Sequence, residues 1–201
     1  MIRVATAADP LRVAVLASGR GSNLVALLDR LDATVAIVAV ASDNAVAPAL
    51  ERAREAGIET AVFAVEDGDR AARDGRLADW LVERGVELVV LAGFMQLLTE
   101  AVVERLPVVN VHPSLLPAFP GLRAWEQALA AGVPETGATV HFVDRGLDTG
   151  PVIAQEPVPV RDGDTPDALH ERIQAVEHRL LPDVVMRLAR DEVPAPAEAA
   201  A

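Results

Sequence analysis

Cysteine, tyrosine and lysine are absent from this 201-residue chain, and all 18 of its basic side chains other than histidine are arginine. Without cysteine there is no disulfide, no thiolate zinc site and no thiol nucleophile. Without lysine there is no Schiff-base chemistry and no phosphate loop of the Gly-Lys-Ser/Thr type. Aromatic residues make up only 3%, and no apolar run approaches the roughly 18 residues of a membrane span. Residues 1–10 lack the apolar stretch of a secretory signal, so a soluble, cytoplasmic protein is expected. The 30 acidic residues give a net charge of −12, which opposes non-specific nucleic-acid binding. A small anionic substrate remains compatible, because a few backbone amides can hold one locally.

The chain itself carries 51% hydrophobic residues, enough for a substantial core. Its first half alternates apolar β-rich runs (12–18, 34–42, 60–65, 88–92) with helical stretches at 24–31, 48–56 and 69–84. Gly57 and Gly85 follow two of those helices, as helix stops do. Near-continuous apolar strands separated by helices predict an α/β fold with a parallel sheet covered on both faces. The second half predicts strands at 108–112, 139–143 and 152–160, the last with prolines suited to an edge. A short helix is predicted over 125–131. A long one runs from the Thr165 cap and Pro166 to about Arg190. One unit over 1–190 is expected, with halves near 12–100 and 101–190, and a mobile tail over 191–201.

Three motifs carry polar chemistry. Gly19-Arg20-Gly21-Ser22-Asn23 joins a strand to a helix, where free amides and glycines suit an anion; a plain tight turn capped by Ser22 is the bland alternative. A dinucleotide fingerprint lacks its third glycine here, although Asp43 stands at a distance that suits a ribose contact, so a nicotinamide enzyme stays open. Asn110 and His112 alternate on one strand face at its C-terminal end, directly before Pro113. An imidazole beside a carboxamide suits acyl transfer, one moving protons and the other stabilising an oxyanion. The Asp144–Gly150 segment reads as an acidic turn, a weak metal site, or the source of an aspartate that orients the His112 ring. No metal-ligand spacing is present, and His141, His170 and His178 read as structural.

Taken together, Val13–Leu24, Val89–Leu98, Val109–Pro117 and Gly146–Pro151 resemble the phosphoribosylglycinamide formyltransferase family of de novo purine synthesis, in family order from about Arg12 to Arg190. The Gly-Ser-Asn loop with Gln174-Ala-Val-Glu177-His178 separates this resemblance from the wider folate formyltransferase group. Within that group methionyl-tRNA formyltransferase and formyltetrahydrofolate hydrolase are the rivals. Outside it stand an oxidoreductase or a silent nucleotide-binding module.

The resemblance implies a formyltransferase fold with a Rossmann-like N-terminal half, and two small-molecule substrates, in a monomer or homodimer without a metal. The formyl group of 10-formyltetrahydrofolate passes to the amine of 5'-phosphoribosylglycinamide by direct attack through a tetrahedral intermediate. Gly21, Ser22 and Asn23 match the substrate-phosphate loop, and Glu177 the acid that contacts that substrate. Asn110, His112 and Asp148 match the catalytic trio; Asn110 and Asp148 also face the folate. Met95, Gln96, Leu97 and Leu98 match the folate wall, Asp144 and Leu147 the loop that completes it, and Arg70 a cofactor-contacting arginine. Two departures stand out: Gln96 replaces a common arginine and Arg123 a common histidine.

Overall fold

The computed structural model describes residues 2–193; most of the tail expected over 191–201 lies outside them. The sheet has seven strands: β1 Leu11–Leu16, β2 Val35–Ser42, β3 Glu59–Val62, β4 Leu88–Leu91, β5 Val108–His112, β6 Glu135–Phe142 and β7 Val152–Pro159. Among the described residues six helices accompany them: α1 Ser22–Arg30, α2 Pro48–Glu55, α3 Arg70–Glu83, α4 Glu100–Val103, α5 Ala124–Ala131 and α6 Pro166–Ala189. The spatial order is β3-β2-β1-β4-β5-β6-β7. β1 to β5 run parallel, and β6 and β7 each run antiparallel to the strand before.

Burial explains the pleat. On β1, Val13 and Val15 face a core shared with α1, α2 and α6. Ala14 and Leu16 face the other side, packed with Leu77, Ala78 and Leu81 of α3. Both faces are covered, so the parallel strands read as unbroken apolar runs rather than alternating ones. After β1 the chain moves outward to β2 and β3, then returns to place β4 on β1's other flank. That reversal opens a crevice at the carboxyl ends of β1 and β4, where open α/β sheets bind ligands.

The cap of the long helix forms as its sequence predicts: Thr165 Oγ1 accepts from Ala168 N at 3.2 Å, and Pro166 takes the first helical position. The edge prolines fall in β7, as expected. Two expectations need correction. β6 starts at Glu135, four residues earlier than predicted, because pairing with β7 carries Glu135–Ala138, a stretch of little strand propensity of its own. Ser22 is the first residue of α1 rather than its cap; Gly21 caps it with φ 74°.

Candidate active site

At the end of β1 the Gly19–Asn23 loop turns sharply into α1. Gly21 cannot carry a side chain there, since a Cβ would lie 2.8 Å from Ala49 Cβ and 2.9 Å from Ala49 Cα. The loop therefore sits tight against the start of α2, with Ala49 N donating to Gly19 O at 3.2 Å. No side chain caps α1, so its first-turn amides are left for an anion. Asn23 is used differently from the sequence expectation. Its Nδ2 donates to Glu177 Oε2 at 2.9 Å, which commits one amide N–H to α6, and its buried Oδ1 lacks a partner.

Glu177 is 5% exposed, and burial pushes its carboxyl up to about 7 against the opposing pull of the Asn23 bond. Between its ordinary 4.5 and 7 the folded chain keeps a proton that the unfolded chain releases. Stability therefore falls as pH rises through that window, and the whole penalty, roughly 3 kcal/mol, is present above it. Glu177→Gln keeps an acceptor for Asn23 without the charge. Urea unfolding should find this variant more stable than the parent above pH 7, with the difference gone below about 4.5.

β5 delivers Asn110 and the buried His112 to the same crevice. His112 Nε2–H donates to Phe119 O at 2.8 Å, which directs Nδ1 toward Asp148, 3.4 Å from its Oδ2. Both His112 and Asp148 line the cavity. Asp148 itself is held firmly. It has φ 55°, and its Oδ2 accepts from Gly121 N at 2.8 Å. The following turn allows this only with glycine at 150, where a Cβ would sit 1.9 Å from Phe142 O.

His141 is the site residue that the sequence reading missed. It pairs with Asn110 across β5 and β6. Its Nδ1–H donates to Phe142 O at 2.8 Å, so Nε2 carries the lone pair and accepts from Asn110 Nδ2 at 3.1 Å. Burial lowers its pKa despite that bond and the Asp148 charge, consistent with a neutral ring. One Asn110 N–H is thus fixed on His141, leaving the second to face a ligand. A signal was available: Thr139-Val-His141 alternates as Asn110-Val-His112 does, and antiparallel pairing superposes the two polar faces.

A cavity of about 700 Å³ is lined by these groups together with the Gly19–Asn23 loop, Met95–Leu98, Asp144 and Leu147. Met95 and Leu97 are 58% and 50% exposed, and Leu147 is also exposed, an apolar rim suited to a flat heterocycle. Gln96, which also lines the cavity, donates to Asp43 Oδ2 at 3.0 Å, so the Asp43 carboxylate is engaged by a side chain of the wall. Asp144 accepts from Gly146 N at 2.9 Å and Thr149 Oγ1 at 2.8 Å, closing its own turn. Arg70, exposed in the first turn of α3, is not among the cavity-lining residues. Trp125 and His170, neither singled out for the site, stack at 3.7 Å beside the loop end.

This sheet, with its amide, imidazole and carboxylate gathered at a crevice, has the architecture of the formyl transferases, whose family model matches residues 11–185. A phosphoribosylglycinamide formyltransferase of Mycobacterium tuberculosis is 46% identical over 187 residues, covering 90% of this chain and 86% of that one. The crystal structure of glycinamide ribonucleotide transformylase 1 from Symbiobacterium toebii shares 45% identity with a TM-score of 0.84, covering 90% of this chain and 86% of that one. The bovine trifunctional purine biosynthetic protein adenosine-3 is 45% identical over 188 residues, 90% of this chain but 19% of that protein. The chain spans a fifth or less of the first trifunctional relatives it matches. The chain belongs to the formyl transferase family and, within it, groups with the phosphoribosylglycinamide formyltransferases.

Proposed function

We propose that this chain transfers the formyl group of 10-formyltetrahydrofolate to the amine of 5'-phosphoribosylglycinamide, as one catalytic unit over residues 1–190. One observation supports it most: a single cavity joins the Asn110–His112–Asp148 cluster to an uncapped helix start and to an apolar rim. The rim and the free amides suit a pterin and a phosphate respectively, each end recognising one substrate. Among the described residues no group of three histidines or carboxylates is arranged to hold a metal ion.

The amine attacks the formyl carbon carried by the folate, and the bond from that carbon to the folate nitrogen breaks as tetrahydrofolate leaves. Asn110's second N–H stabilises the oxygen on which charge develops, and the Nδ1 edge of His112, with Asp148 facing it, takes the proton the amine loses and gives it to the departing folate nitrogen. His141 fixes the Asn110 amide rather than reacting. Gly21, Ser22 and Asn23 present the anion-binding amides, and Glu177 lies beside them for the sugar. Met95 to Leu98, with Asp144 and Leu147, frame the folate. The two small molecules meet in a cytoplasmic monomer or homodimer.

Mixing both substrates with the protein and following tetrahydrofolate release tests the reaction; release should require the amine substrate. Ser22→Ala removes a donor to a charged acceptor, worth roughly 1.5–3 kcal/mol. Affinity for the phosphoribosyl substrate should fall about ten- to a hundredfold, with folate affinity unchanged, as titration calorimetry would report.

A further inference from the structure

Arg73 and Asp74 are both fully buried, an unusual fate for an arginine and an aspartate, and the catalytic cluster does not use them. They continue the inward stripe of α3, which runs on through Leu77, Ala78 and Leu81, into its first turns. Arg73 Nε meets Asp74 Oδ1 at 2.5 Å, and the guanidinium lies 5.7 Å from the centre of the Phe94 ring. Beyond that mutual contact, both side chains reach the same segment. Arg73 Nη2 donates to Leu97 O at 3.2 Å, and Asp74 Oδ2 accepts from Thr99 N at 2.6 Å.

That segment, residues 93–99, is neither strand nor helix. Gly93 O accepts from Ser18 N at 3.0 Å, and Met95 N donates to Ser18 Oγ at 2.8 Å. Beyond Met95 the backbone is tied by Arg73 and Asp74, the Gln96 side chain being tethered separately to Asp43. We propose that the buried Arg73–Asp74 pair positions the Phe94–Thr99 wall and thereby sets affinity for the folate without affecting the phosphate end. The inference rests on the reading above that this wall faces folate. A buried ion pair gains little stability over apolar residues of similar size, so specificity of placement is the property it can supply. These ties fix the backbone on either side of Leu98 and so the height of the exposed Leu97 side chain over the cavity.

The test is the double variant Arg73→Met with Asp74→Asn. It removes both charges together, so no lone ion stays buried, and the new carboxamide oxygen still accepts from Thr99 N. Thr99→Pro cuts the second tether from the other end without touching the pair; its φ of −87° and place before α4 are close to what proline adopts. Hydrogen exchange of the unliganded proteins reads the wall directly. Exchange at Leu97 and Leu98 should rise about tenfold in both variants, with Ser22 and Asn23 unchanged. Binding of tetrahydrofolate should weaken about tenfold in both variants, and binding of 5'-phosphoribosylglycinamide should stay within about twofold. Unchanged exchange in the wall overturns the proposal, and so does equal weakening for both ligands. If the double variant does not fold, Thr99→Pro decides by the same two readings. If the parent protein fails to bind tetrahydrofolate, the functional reading falls, and exchange alone decides the role of the pair.

Discussion

His112→Asn should fold with little change in thermal midpoint and lose about 10²–10⁴-fold in turnover, or roughly 3–5 kcal/mol of barrier. The imidazole supplies the cluster's available ring nitrogen, its Nδ1, whereas both nitrogens of His141 are engaged by Phe142 and Asn110 and burial lowers that ring's pKa. Asparagine can replace one of the two polar contacts, either to Phe119 O or toward Asp148, but has no ring nitrogen to take up and release the substrate's proton. Affinity for both substrates should survive, since the pocket walls come from other residues. Steady-state kinetics at saturating substrates, with calorimetric binding beside them, separate the two. Parent-like turnover would remove His112 from proton transfer.

The second large effect is expected from Asp148→Asn. The left-handed backbone at this position, φ 55°, is one that asparagine adopts readily, and its carboxamide oxygen can still accept from Gly121 N. The substitution thus keeps the turn and removes the charge facing His112. Turnover should drop about 10²–10³-fold while the unfolding midpoint moves by no more than a few degrees. Asp148→Ala makes the contrast. It loses the charge and the Gly121 anchor, and it leaves an unfavourable backbone conformation costing about 1–2 kcal/mol, so it should lose stability as well as turnover. If the asparagine variant kept parent turnover, Asp148 would be a shaping residue for the 144–150 turn and nothing more.

Much of the architecture follows from local pattern. The unbroken apolar runs mark β1, β2 and β4, because a strand covered on both faces has no polar side to show. The start of α6 follows from Thr165 and Pro166. Features decided by distant partners were not legible. The four-residue α4 is too short to display a helical period. Glu135–Ala138 becomes strand through its pairing with β7. The burial of Arg73 and Asp74 depends on contacts with Phe94, Leu97 and Thr99, which the local pattern of α3 does not show.

The site divides in the same way. The alternation of Asn110 and His112, and the glycine loop at a strand end, were visible because spacing alone puts them on one face or at one turn. The commitment of Asn23 to Glu177 was not, since the partners are 154 residues apart. His141 shows the intermediate case: its strand alternation is plain in the sequence, but its meeting with Asn110 depends on β6 running antiparallel to β5.

The most direct test of the account is a transfer experiment with 10-formyltetrahydrofolate carrying ¹³C in the formyl group, mixed with 5'-phosphoribosylglycinamide and the protein and followed by ¹³C NMR. The label should leave the folate and appear as the formyl amide of the phosphoribosyl product, with tetrahydrofolate released in equal amount. Label that stays on the folate, or that emerges as formate whether or not the amine is present, would contradict it.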